Sequence, residues 1–156
     1  MANTVYNIFK TNLLNDILGT DIASGKTFKV LLISGSTAPN PDHATVSAVL
    51  AAAAELSGAT GYTGGPGGSG RKTITFTVTQ DDTNDRTDAV SGTASWTGTN
   101  TGTVRQLLIY RHESGTDDTL NIPVACIDTT TGLPLTLATS PSTTDITMNA
   151  QTIRVA

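Results

Sequence analysis

The chain has 156 residues, of which 14% are charged and 4% aromatic, and its net charge is −4 at pH 7. Threonine, serine and glycine fill the place of the missing charges, leaving a polar surface without the basic stripe that a nucleic-acid binder needs against phosphates. No run approaches the roughly 20 apolar residues that span a membrane, no basic-then-apolar leader opens the chain, and the length suits one domain, 1–156, with its own core.

Tyr6, Phe9, Leu13 and Ile17 recur at helical spacing, widened by Val5, Ile8, Leu14 and Leu18, and predict an N-terminal helix within 1–20. Asn3 or Thr4 is placed to cap its start, and Gly19 stands where helices commonly end. Lys26 to Ser34 reads as a strand whose centre, Val30-Leu31-Leu32-Ile33, is apolar on both faces and so belongs inside a sheet. After the turn cluster Pro39-Asn40-Pro41-Asp42, the segment Thr45 to Leu56 holds four consecutive alanines and predicts a second, short helix.

A glycine-rich loop, Ser57 to Lys72, follows. Everything beyond it reads as strand and turn, with strands at Lys72–Gln80, Ala89–Trp96, Val104–Arg111, Ile122–Asp128, Leu133–Ala138, Asp145–Met148 and Thr152–Val155. The fold class is therefore mainly β, an antiparallel β-sandwich with the N-terminal helix and the second short helix at one end or edge.

The loop admits two readings, an anion cradle or a surface arm. A phosphate-binding loop needs Gly-Lys-Ser/Thr running into a helix. Gly70 is followed by Arg71, and Lys72 to Thr79 alternates as a strand. The other near match, Gly25-Lys26-Thr27, also runs into a strand and lacks its upstream glycine. The arm reading fits better. Gly64, Gly65, Gly67, Gly68 and Gly70, with Pro66 and Ser69, offer almost no apolar side chain to offset an ordering cost of about 1–2 kcal/mol per residue. The expectation is a loop that stays mobile until a neighbouring subunit buries it, with Arg71 and Lys72 pairing with that neighbour's carboxylates.

Chemistry-bearing residues are sparse. His43 and His112 are the only histidines and read as solvated surface residues. Asp81 to Asp88 offers alternating oxygen ligands but lacks the glycine and terminal glutamate of an EF-hand, and reads better as a hairpin turn than as a calcium site. Cys126, the only cysteine, lies in the apolar run 122–127 and reads as a small core residue. Trp96, Tyr6, Tyr62 and Tyr110 are dispersed, which suits core anchors rather than a stacking platform. The reading is of a protein without catalytic residues, metal or cofactor.

The series Phe28-Lys29-Val30-Leu31-Leu32-Ile33, Pro41-Asp42-His43, Ser57-Gly58-Ala59-Thr60-Gly61-Tyr62, Gly67-Gly68-Ser69-Gly70-Arg71-Lys72, Asp81-Asp82-Thr83-Asn84-Asp85-Arg86 and Leu108-Ile109-Tyr110-Arg111 resembles small virion structural proteins of tailed bacteriophages. The resemblance runs over most of the chain and is most specific at Gly67–Lys72 and Asp81–Arg86. It implies a particle component, made in the host cytoplasm and located on the capsid exterior as a cement (decoration) protein bound in many copies to the major capsid protein. A tail or head–tail connector accessory protein is the alternative, and a carbohydrate-binding adhesion module is a reading from another class. Weak charge and few aromatics favour many repeated weak contacts, hence self-association, most simply as a homotrimer on a local symmetry axis of the shell.

Overall fold

The computed structural model describes residues 4–8, 26–81, 86–113, 115, 117–128 and 132–155. Its elements in chain order are β1 (Thr4–Val5), β2 (Thr27–Ile33), α1 (Val46–Ala52), β3 (Lys72–Ile74), β4 (Phe76–Asp81), β5 (Arg86–Ser91) and β6 (Ala94–Thr99), then β7 (Thr103–Val104), β8 (Gln106–His112), β9 (Ile122–Ile127), β10 (Leu135–Thr136), β11 (Thr144–Met148) and β12 (Thr152–Val155). The protein is mainly β, its sheets are antiparallel, and α1 is the one helix among these elements. No helix among the described residues is long and apolar enough to cross a membrane.

A five-stranded sheet in the order β1-β9-β8-β2-β3 forms the centre. The both-sides-apolar pattern of β2 has the expected cause, since each face of this sheet is covered. Phe28, Val30 and Leu32 point into the larger core with Leu107, Ile109, Trp96, Ile146, Met148 and Ile153. Leu31 and Ile33 point the other way, with Tyr6, Leu108, Tyr110 and Cys126, beneath Val46, Val49 and Ala53. The larger core is closed by residues of the three-stranded sheet β12-β5-β4 and the pair β11-β6. Phe28 and Phe76 meet edge to face at 5.0 Å, one contact that ties β2 to β4, and such pairs contribute about 0.5–1.5 kcal/mol beyond their buried area.

Several expectations are corrected. The predicted N-terminal helix lies almost wholly outside the described residues, and its expected start is different. Thr4 and Val5 pair with Cys126 and Ala125 as β1, and helical geometry begins only at Asn7 and Ile8. Val5 and Tyr6 therefore take the pleat of an edge strand instead of a helical stripe.

The second helix begins where expected, with Thr45 capping the Ala48 amide at 3.2 Å. It ends at Ala52, inside the alanine run. Helix propensity loses there to the open edge of β2. β3 reaches only as far as Val30, so the β2 backbone beyond it takes partners from the helix exit. Ser34 donates to the Ala54 carbonyl at 2.9 Å, and Leu56 donates to the Leu32 carbonyl at 2.8 Å.

Three predicted strands are each divided between two elements, Val104–Arg111 at Arg105 between β7 and β8. Lys72–Gln80 breaks at Thr75 because its first half pairs with β2 and its second half with β5, so the chain changes sheets there. Ala89–Trp96 breaks at Gly92-Thr93 for the same reason, β5 pairing with β4 and β12, and β6 with β11.

Candidate functional site

Three segments converge on Arg71. Glu55 arrives from the exit of α1, Arg71 from the end of the glycine loop, and Asp118 from the turn before β9. The Arg71 side chain is 1% exposed. Its Nε donates to Glu55 Oε1 at 3.0 Å and its Nη2 to Glu55 Oε2 at 2.7 Å. Towards Asp118, Nη1 reaches Oδ1 at 2.6 Å and Nη2 reaches Oδ2 at 2.8 Å. Nη1 also reaches the Tyr110 hydroxyl at 3.4 Å, and the guanidinium lies 5.5 Å from the centre of that ring. A guanidinium has five N–H donors in a fixed fork, and here each has an acceptor.

The surroundings complete the network. The Tyr62 hydroxyl donates to Glu55 Oε1 at 2.8 Å and accepts the Leu32 amide at 3.0 Å. Asn121, fully buried, donates to Asp118 Oδ1 at 3.0 Å and accepts the Glu113 amide at 3.1 Å. The same turn holds the start of α1, because Ser47 donates to the Asp118 carbonyl and Val46 to the Asn121 carbonyl. Burial opposes ionisation of Asp118, yet the Arg71 and Asn121 hydrogen bonds and the Arg71 charge together draw its carboxyl below the usual range. Burial, then the Glu55 charge, pushes the Tyr62 hydroxyl up. Burial alone would lower Arg71, but its bonds to Asp118 and Glu55 reverse that and hold it cationic.

The glycine loop, expected as a mobile arm, finds hydrogen-bond partners within its own domain. Gly65 donates to Glu55 Oε2 at 3.1 Å, Gly68 to the Gly65 carbonyl at 2.9 Å, and Gly70 to the Thr63 carbonyl at 3.0 Å. The indole N–H of Trp96 donates to the Gly70 carbonyl. A Cβ on Gly68 would stand 2.0 Å from the Thr63 oxygen, and one on Gly70 would stand 2.7 Å from the Tyr62 ring. Glycine is used here for close backbone approach.

The nine residues expected at an interface are thereby separated. Gly67 and Ser69 are exposed; Gly64, Gly65, Pro66, Gly68 and Lys72 are half-buried; Gly70 and Arg71 are buried. Arg71 cannot reach a neighbour's carboxylates because its donors are spent on Glu55 and Asp118. Lys72 enters β3 opposite Val30. Beside the clamp lies an open depression of about 500 Å³, lined by residues 55–60 and 62–65.

Among the described residues no group of three or more His, Cys, Asp or Glu could hold a metal ion. Residues 82–85 of the acidic stretch lie outside the described residues, while Asp81 and Arg86 face each other as the last pair of the β4–β5 hairpin. His112 is half-buried rather than solvated, its Nδ1 3.1 Å from Asn121 Oδ1. Cys126 is fully buried, as expected of a core residue, and burial followed by the Asp128 charge pushes its thiol up to about 12. The tyrosines and the tryptophan are buried as expected.

Glu55 and Asp118 were not singled out from sequence. One signal was present for Glu55, the only acidic residue between Asp42 and Asp81, a stretch whose only arginine is Arg71. Two opposite charges bracketing a glycine-rich loop suggest that it closes on itself. Comparison with family models, with curated proteins and with solved structures finds no match for this chain.

Proposed function

We propose that the chain is a structural component of a tailed-bacteriophage particle, a cement protein bound in many copies to the outside of the shell. Its partners in this reading are the major capsid protein and further copies of itself, arranged as a homotrimer, and its two-layer core is a β-sandwich. The observation that carries the reading is how its charge is used. The Glu55–Arg71–Asp118 clamp consumes a guanidinium and two carboxylates to fix a surface loop, and Gly67 and Ser69 are left exposed on that loop. A rigid, weakly charged rim suits repeated shallow contacts on a lattice, where multivalency supplies affinity that no single contact has.

The buried Trp96, Tyr62 and Tyr110 favour this over a sugar-binding module, which stacks exposed aromatics on its ligand. Quantitative mass spectrometry of purified particles tests the station. Hundreds of copies per particle are expected; a few dozen or fewer would move the chain to the tail or connector, and absence from particles would overturn the reading.

A further inference from the structure

We infer that the outer edge of β4 is a self-association site, at which β4 of one copy pairs antiparallel with β4 of a second copy about a two-fold axis through Val78. The starting point is the direction of the backbone groups. Gly92 donates to the Thr75 carbonyl at 2.7 Å, and Thr75 stands opposite Gly92 in the register that pairs Phe76 with Ser91. Hydrogen-bonded pairs in an antiparallel ladder alternate. The pairs that bond across to β5 are therefore Thr77 with Val90 and Thr79 with Asp88. The N–H and C=O groups of Phe76, Val78 and Gln80 point the other way. β4 ends its sheet, and no described strand lies on that side.

Side-chain burial leads to the same strand. Val78 sits opposite Ala89, which sits opposite Ile153, so the three share a face. Ala89 and Ile153 are each 5% exposed in the larger core, whereas Val78 is 44% exposed. The core face runs out one strand too early. A single added strand would satisfy the outward backbone groups and cover Val78 together.

Edge strands are normally blunted by shortness, lysine, proline or a bulge. Of the strands ending the five- and three-stranded sheets, β1 has two residues, β3 three residues with Lys72, and β12 four with Arg154. β4 has six and keeps a regular register with β5. From Phe76 to Gln80 it carries no charge and no proline, and its one charge is Asp81 at the end.

A second copy fits this edge better than an arbitrary strand. With the axis through Val78, Val78 meets Val78 of the second copy and Phe76 meets its Gln80. Every outward-bonding residue then finds another outward-bonding residue, and both core faces lie on the same side. No like charges meet across the axis, because the one charged residue of β4, Asp81, falls opposite Thr75 of the second copy. An isologous contact of this kind closes as a pair, so it is distinct from any three-fold contact and does not depend on a station in a particle. One strand pair buries less than the roughly 1,200 Å² of a stable interface. The expected association is weak and dependent on concentration.

Sedimentation of the purified chain over a concentration series, with hydrogen exchange of the Val78 amide, provides the test. A monomer–dimer equilibrium is expected, with the amide exchanging fast when dilute and slowly when concentrated. Val78→Pro removes an outward N–H without touching the β4–β5 ladder, so it should fold like the parent and weaken dimerisation at least about tenfold. Val78→Lys, which sets two like charges on the axis, should do the same and serves if the proline variant does not fold. A wild-type chain that stays monomeric throughout would overturn the inference. So would a Val78 amide protected in the monomer, which would mean that this chain's own residues already cover the edge, or a Val78→Lys variant that dimerises as well as the parent.

Discussion

At Arg71 the energetic balance is lopsided. The complete clamp gains little over an apolar replacement of the whole cluster, since three charges had to leave water. Removing one partner is another matter. Arg71→Met would leave Glu55 and Asp118, with side chains 11% and 15% exposed, facing each other without a cation, and is expected to cost about 3 kcal/mol in urea unfolding. Arg71→Lys keeps the charge but loses the fork and should fall between the two. The same site sets a pH dependence. Asp118 titrates in the folded chain below its ordinary value of 3.8, so its stabilisation is whole above that value and is lost as pH falls through the lower, folded-state pKa. Melting temperature should therefore decline as pH drops below about 4, and Asp118→Asn should flatten that decline.

Among the elements, the glycine loop is where packing decides most. Gly68→Ala would force a methyl against the Thr63 and Gly64 carbonyls, 2.0 and 2.3 Å from the built Cβ, and is expected to destabilise by about 2 kcal/mol or more. Gly58→Ala meets nothing within 4 Å and carries only the strain of its φ of +70°, about 1–2 kcal/mol. Trypsin offers a direct view of the loop. With Arg71 buried and its carbonyl leading into β3, cleavage after Arg71 should be slow in the free protein. Glu55→Gln weakens the bonds to Arg71 and Gly65 and should make cleavage faster. If both proteins are cut equally quickly, Glu55 does not hold the loop.

Sequence made some of these elements legible and not others, for physical reasons. β2, β8, β9 and α1 announce themselves because local pattern and burial agree, as at Val30-Leu31-Leu32-Ile33 and at Thr45. The breaks at Thr75 and Gly92 were hidden because period-two alternation continues when a strand changes sheets, and only the partner differs. The end of α1 was hidden because Ala53 and Ala54 prefer helix, whereas Ala54 and Leu56 take backbone partners at Ser34 and Leu32. Within the candidate site, the glycine loop was visible by composition. Its purpose was not, because the partners of Arg71 lie 16 and 47 residues away in the chain.

For the whole molecule, the reading of Asp81 to Asp88 as a turn makes melts with and without EDTA expected to coincide. A large drop on chelation would make that acidic stretch a calcium site instead. The clamp has a last consequence, in time rather than in energy. Tyr110 lies on β8 and Asp118 precedes β9, so Arg71 can complete its clamp beyond Glu55 only once β2, β8 and β9 are side by side. The expectation is that its bonds form after the rate-limiting step, so that their loss acts on escape from the native state alone. In stopped-flow experiments Arg71→Met should leave the refolding limb of the chevron in place and raise the unfolding limb, so that the clamp governs how long a folded copy lasts rather than how quickly one is made.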